Sequence, residues 1–179
     1  MTKNDKIFLD ANEFFRLSFQ LAKKVYDSGY IPDYLLIVSR GGFPIGITIH
    51  EFFRYKGFEI DHGSIKAVSY KTINNRDQNT RLYGIENIPF ERNEKFLIID
   101  DIFDTGRTIK KILSKLPDTV EKKIAVIYFK PTKNQTKITP DYYLHKTKKW
   151  IVYPHEICGL SDAEIKQKDP KLFNIINKI

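Results

Sequence analysis

Three carboxylates and two threonines crowd into Asp100-Asp101-Ile102-Phe103-Asp104-Thr105-Gly106-Arg107-Thr108. The segment follows an apolar run, Phe96-Leu97-Ile98-Ile99, and precedes a stretch with helical character, RTIKKILSKL (107–116). Such an order reads as a buried strand ending in two acids, then a loop that brings a third acid and hydroxyls to the start of a helix. Backbone N–H groups at a helix start attract phosphate. Thr105 and Thr108 add hydroxyl donors, and Gly106 lets the backbone approach an anion closely. A plainer role is open to Asp104 and Thr105, because both are common N-cap residues. The paired acids weigh against it, since adjacent buried carboxylates are costly unless they hold a ligand or metal.

The rest of the chain reads as the elements that hold this segment in place. Phe14, Leu17, Leu21 and Val25 recur at helical spacing and predict a helix over 11–28, ending near Ser28-Gly29. YLLIVS (34–39), SIKAVSY (64–70), FLIID (96–100) and KIAVIYF (123–129) predict strands, and 45–56 predicts a helix with Ile45, Ile49, Phe52 and Phe53 on one face. YYLH (142–145) and WIVY (150–153) are shorter strand candidates, and the tail from Ser161 reads as one or two short helices. Strands alternating with helices predict an α/β fold with a mainly parallel central sheet flanked by helices. Ligands of such sheets bind beyond the carboxyl ends of the strands. There the sequence places Ser39-Arg40-Gly41-Gly42, the polar stretch from Ser69, the acid-rich loop at 100–108, and Lys130-Pro131.

Composition bounds the function. At 179 residues the chain fits one domain, and 41% hydrophobic residues is ordinary for a globular protein. A single cysteine, Cys158, excludes an internal disulfide and a cysteine-cluster metal site. No apolar run is long enough to span a bilayer and no secretory signal opens the chain, so an intracellular, cytoplasmic protein without a membrane partner is expected. Thirty basic against 22 acidic residues leave +8, which suits a polyanion or a phosphorylated small molecule.

An apolar strand, two acids, two apolar residues and then D-T-G-x-T resembles the phosphoribosyl pyrophosphate signature of type I phosphoribosyltransferases. The resemblance is closest to the short, bacterial-type 6-oxopurine members and covers roughly residues 34–156. It implies a single domain over 1–179, with a core of about 30–135 and a small hood from the N-terminal segment and 136–179. It also implies displacement of pyrophosphate from 5-phosphoribosyl 1-pyrophosphate by a purine base, with Mg²⁺ as cofactor. In this pattern the backbone of Asp104, Thr105, Gly106, Arg107 and Thr108 cradles the 5′-phosphate. Asp100 and Asp101 contact the ribose hydroxyls, directly or through Mg²⁺, and Asp104 acts as catalytic proton acceptor near N7 of the purine.

Three further loops extend the resemblance. Ser39, Arg40 and Gly41 in VSRGGFPIG (38–46) match the pyrophosphate loop, where Arg40 supplies a bidentate donor and a cis Ser39–Arg40 peptide is expected. Ser69 and Tyr70 match the start of a lid over 69–84, expected to order on ligand binding; its bland reading is a solvated loop or hairpin. Lys130 matches the lysine that donates to the purine O6, which suits a 6-oxopurine (hypoxanthine or guanine, with xanthine still open) and opposes adenine. In KKWIVYPHE (148–156), Trp150 would stack on the base, the Ile151 or Val152 backbone would meet its edge, and Glu156 would help bind Mg²⁺ and pyrophosphate. Val152 stands where xanthine-preferring relatives carry an acid, which argues against strong xanthine use, and His155 reads as hood structure. The pattern implies a homodimer or homotetramer. Adenine as substrate, or a non-catalytic regulator that binds nucleic acid, are the alternatives; four complete loops and the absence of a separate DNA-binding segment weigh against a nucleic-acid partner.

Overall fold

The computed structural model describes residues 5–69, 80–91 and 93–177. In chain order its elements are β1 (Lys6–Phe8), α1 (Ala11–Asp27), β2 (Tyr34–Ser39), α2 (Gly42–Tyr55), β3 (Asp61–Ser69), β4 (Thr80–Tyr83), β5 (Lys95–Phe103), α3 (Arg107–Leu113), β6 (Glu121–Phe129), β7 (Tyr142–Lys146), β8 (Trp150–Val152), α4 (Asp162–Lys168) and α5 (Pro170–Ile176), with a short 3-10 turn at Ile85–Asn87. The chain divides into two compact units, Phe15–Lys148 and a smaller one made of Met1–Phe14 with Lys149–Ile179.

The larger unit is built on a six-stranded sheet of order β4-β3-β2-β5-β6-β7. All neighbours run parallel except β4, which returns antiparallel to β3. Parallel strands are buried on both faces, which is why the apolar runs do not alternate. Leu36, Val38, Ile98, Ile124 and Val126 share one core with Ile109 and Ile112 of α3. Ile37 turns to the other face, where Gly46 of α2 sits so close that a methyl there would lie 2.4 Å from its Cδ1. Helix α1 starts under an Asp10 cap, whose Oδ1 accepts the Glu13 N–H at 2.9 Å. It ends before Gly29, which adopts a φ of +79°, and all four residues of its predicted apolar stripe are buried.

The sheet is the predicted α/β, mainly parallel one, with three differences of detail. Strand β5 runs on to Phe103, because Ile102 and Phe103 continue to pair with Tyr128 and Phe129. β7, a short strand candidate in the sequence, runs from Tyr142 to Lys146 and joins the central sheet beside β6. Residues 80–83, expected within a lid, form a strand whose Leu82 packs against the core. Tyr70 and 71–79 lie outside the described residues.

The smaller unit pairs β1 with β8 in parallel, Lys6 opposite Trp150 and Phe8 opposite Val152. Helix α4 opens with a capping box between Ser161 and Glu164, and α5 with an Asp169 cap followed by Pro170. Lys6 also bonds the Glu164 carboxylate. Among the described residues, no helix is long and apolar enough to cross a membrane.

Candidate active site

The strand order places a crevice at one point of the larger unit. From β2 the chain crosses through α2 to β3 on one side, and from β5 through α3 to β6 on the other. The loops after β2 and β5 therefore leave in opposite directions, opening the kind of gap in which α/β sheets bind ligands.

Both predicted loops meet there. The Ser39–Arg40 peptide is cis, as the sequence pattern implied. Arg40 is exposed, and Gly41 lies directly against Asp101: a methyl added to Gly41 would sit 2.3 Å from the Asp101 Cγ. Gly42 is as tight, 2.6 Å from the Ile99 carbonyl oxygen by the same measure. The loop between β2 and α2 thus reaches β5 only because it carries glycines.

Asp100 and Asp101 lie in β5 just past Ile99, the last residue that pairs with β2. The Asp101 N–H donates to Asp100 Oδ1 at 2.9 Å. Burial first, and then the neighbouring Asp101 charge, push the Asp100 carboxyl well above the usual carboxylate range, with the Asp101 N–H opposing the shift. Two crowded carboxylates of this kind suit a divalent cation, whose charge would relieve both effects. Magnesium commonly takes one or two protein carboxylates and completes its shell with water and substrate phosphates. Among the described residues no three His, Cys, Asp or Glu side chains come together to hold a metal, so the fit rests on these two acids.

The loop from Asp104 to Gly106 then turns into α3. Gly106 takes a φ of +77° and is buried. The Arg107 N–H points at the Thr105 hydroxyl at 3.5 Å. Amides in a helix's first turn have no partner within the helix, leaving them available to an anion. Thr105 and Thr108 are half-buried and Arg107 is exposed.

Next to this loop stands a group whose partner the sequence did not reveal. Lys130, at the end of β6, is almost fully buried, with its side chain 2% exposed. Its ammonium donates to Asp104 Oδ2 at 3.2 Å. The other carboxylate oxygen, Asp104 Oδ1, is buried and accepts no hydrogen bond in this structure. A buried acceptor without a donor is costly. That oxygen has capacity for one further donor.

The predicted residues from Trp150 to Glu156 belong to the smaller unit. The Trp150 side chain is 47% exposed, whereas Ile151 and Val152 are buried. Trp150 and Glu156 line a cavity of about 230 Å³ with Lys6, Val152, Cys158 and Leu160. The Glu156 carboxylate accepts the Tyr153 N–H at 3.2 Å while its own N–H donates back to the Tyr153 carbonyl at 3.0 Å. That carboxylate is engaged in closing a turn. The His155 ring stacks on Tyr153 at 5.9 Å, in keeping with a structural role. Ser69 ends β3, and Tyr70 is outside the described residues.

Comparison with known proteins agrees with this geometry. The family described as phosphoribosyl transferase domain matches residues 5–158. A xanthine-guanine phosphoribosyltransferase of Idiomarina loihiensis is 26% identical over 169 residues, covering 90% of this chain and 96% of the relative. The crystal structure of a purine phosphoribosyltransferase from Pyrococcus horikoshii superposes with a TM-score of 0.69 at 28% identity, covering 88% of this chain and 98% of that one. A xanthine-guanine-hypoxanthine phosphoribosyltransferase from Helicobacter pylori shares the fold, with a TM-score of 0.68 at 21% identity over 93% of this chain and 99% of that one. A match that runs through the β2 loop, both acids of β5, Lys130 and Trp150 makes this chain a member of the phosphoribosyl transferase domain family.

Proposed function

We propose that the protein is a purine phosphoribosyltransferase that joins a 6-oxopurine, hypoxanthine or guanine, to the ribose of 5-phosphoribosyl 1-pyrophosphate. The products are a nucleoside 5′-monophosphate and pyrophosphate. The Lys130–Asp104 pair is the observation that carries the choice of base. One buried ammonium and one buried, unpartnered carboxylate oxygen lie within the same few ångströms. A 6-oxopurine presents a carbonyl acceptor at C6 and a ring N–H at the adjoining N7, the complement of that pair. Adenine would offer its amino group to an ammonium that can only donate.

Each group then has a role. Thr105–Thr108 receive the 5′-phosphate, and Asp100 and Asp101 face the ribose hydroxyls. Arg40 and the backbone around Gly41 hold the pyrophosphate as negative charge builds on it. The bond from the ribose C1 to the pyrophosphate oxygen breaks as N9 of the base attacks from the opposite face, and the N7 proton passes to Asp104 Oδ1. Asp100 and Asp101 would hold Mg²⁺, which when bound would supply charge neutralisation for the leaving pyrophosphate. Trp150 offers an exposed aromatic face on which a purine stacks. The Glu156 carboxylate already closes its own turn, which weighs against the metal role that the resemblance gives it.

The same reading makes the protein a cytoplasmic homodimer or homotetramer. Exposed Phe15 and Phe19 on α1 and Phe43 and Ile47 on α2 are apolar surface that a second copy would cover. The deciding assay mixes purified protein, Mg²⁺ and 5-phosphoribosyl 1-pyrophosphate with hypoxanthine, guanine, xanthine or adenine in turn and follows pyrophosphate release. Turnover with hypoxanthine or guanine well above adenine is expected, and preference for adenine or no turnover with any base refutes the reading.

A further inference from the structure

The loop after β6 does more than present Lys130. Its chain folds back at once, with the N–H groups of Lys133 and Asn134 donating to the Lys130 carbonyl at 3.1 and 3.2 Å. The Asn134 side chain then staples the turn. Its Oδ1 accepts from the Thr136 N–H at 2.9 Å and from the Thr136 hydroxyl at 2.8 Å, and its Nδ2 donates to the Ile138 carbonyl at 2.8 Å. Thr136 Oγ1 accepts the Ile138 N–H at 3.2 Å. Asn134 and Thr136 are half-buried, whereas Thr132 and Lys133 beside them are exposed.

This stapled loop grips three consecutive residues of the 104–108 loop. The Lys130 ammonium takes Asp104. The Gln135 N–H donates to the Thr105 carbonyl at 3.0 Å. The Thr136 hydroxyl walls the Gly106 backbone so closely that a methyl on Gly106 would sit 2.7 Å from it. Gln135 contributes only its backbone to this grip, so its place depends on the two side chains that flank it, Asn134 and Thr136.

We propose that Asn134 and Thr136 are positioning residues for the 5′-phosphate cradle. They act through Thr105 and Gly106, and the loop that reads the base thereby also sets the donor site. The inference rests on the transferase reading above. Groups that bind a phosphate must be held to about half an ångström, which needs a supporting shell of locked side chains. Neither residue carries charge, and the hydrogen bonds of their side chains stay within the turn they close.

Isothermal titration of the whole protein with 5-phosphoribosyl 1-pyrophosphate, ribose 5-phosphate and inorganic pyrophosphate tests this. If the unmodified protein binds none of the three, the transferase reading fails, and with it this inference. If it binds them, Thr136→Val and Asn134→Ala should each weaken ribose 5-phosphate about tenfold, the loss expected when a hydrogen-bonded support is removed. Pyrophosphate, which meets the Arg40 loop, should bind as before, and Thr136→Ser should restore ribose 5-phosphate binding to near the original. Thr136→Ala, which only removes atoms from a half-buried side chain, reads the same quantity should the valine not fold. Steady-state kinetics should show the Michaelis constant of the donor rising while that of the base stays. Unchanged ribose 5-phosphate binding in both variants, or equal loss of pyrophosphate binding, overturns the proposal while leaving the transferase reading intact.

Discussion

Replacing Lys130 by methionine separates what the buried ammonium does for folding from what it does for the base. Methionine keeps an unbranched side chain of similar length but removes the charge that meets Asp104 at 3.2 Å. Breaking a fully buried ion pair by removing one partner costs about 3–5 kcal/mol. Here only the lysine is fully enclosed, and the Asp104 side chain is 34% exposed, so water can solvate the abandoned carboxylate. A cost of about 2 kcal/mol follows. For a chain of this size that is a fall in Tm of about 4–8 °C. The base loses its donor at O6, and an unpaired buried carbonyl costs about 1–3 kcal/mol, or about 5- to 150-fold in kcat/KM for hypoxanthine. Adenine never used that donor, so the preference for hypoxanthine over adenine should shrink by the same factor. The double variant Lys130→Met with Asp104→Asn removes the stranded charge and should recover at least half of the lost Tm. Calorimetry and steady-state kinetics with both bases read these quantities. A variant with unchanged Tm and unchanged base preference, or a double variant less stable than Lys130→Met, would refute the reasoning.

Asp104→Asn alone should lower kcat by about 10²–10⁴ through loss of the proton acceptor, with the Michaelis constant of the donor nearly constant; equal loss in both contradicts the role. Gly41→Ala places a methyl 2.3 Å from the Asp101 Cγ. It should therefore displace the loop or the carboxylate and cost about 10² in kcat/KM, with far-ultraviolet circular dichroism unchanged. Wild-type activity in that variant would show that the close approach is not needed. Trp150→Ala should raise the Michaelis constant of the base about tenfold, the worth of one stacking contact, and leave the donor's alone. In the smaller unit, the hydrogen bond from Lys6, followed by the Ser161 N–H, holds Glu164 down from its ordinary 4.5 to about 2. A depressed carboxylate stabilises above its unfolded value and loses that contribution as pH falls through its folded one. The protection of α4 amides, relative to free-peptide exchange at the same pH, should therefore fall between about pH 4.5 and 2, and Glu164→Gln should abolish that dependence; an unchanged profile counts against the pairing.

The family and the main strands of its sheet are legible in sequence because they depend on short-range pattern. Apolar runs at 34–38, 96–99 and 124–129 have no partner other than a sheet buried on both faces, and D-T-G-x-T at the head of a helix is a local arrangement. The spacing could not show where strands end or begin when pairing alone decides it. Ile102 and Phe103 looked like loop, and are strand because β6 lies alongside. Lys6–Phe8 and Thr80–Tyr83 are too short to announce themselves and exist only through β8 and β3.

The chemistry divides in the same way. The sequence determined by itself that acids, threonines, an arginine and a lysine stand after successive buried strands, since residue type and strand pattern are both written locally. Only the tertiary structure decided that Lys130 meets Asp104 across 26 residues, that Gly41 must lack a side chain because Asp101 fills the space, and that the turn held by Asn134 and Thr136 donates to the Thr105 carbonyl. Those relations join residues far apart along the chain. They arise when parallel strands bring their carboxyl ends to one edge, where burial leaves each polar group to find a partner among whatever neighbours the fold supplies.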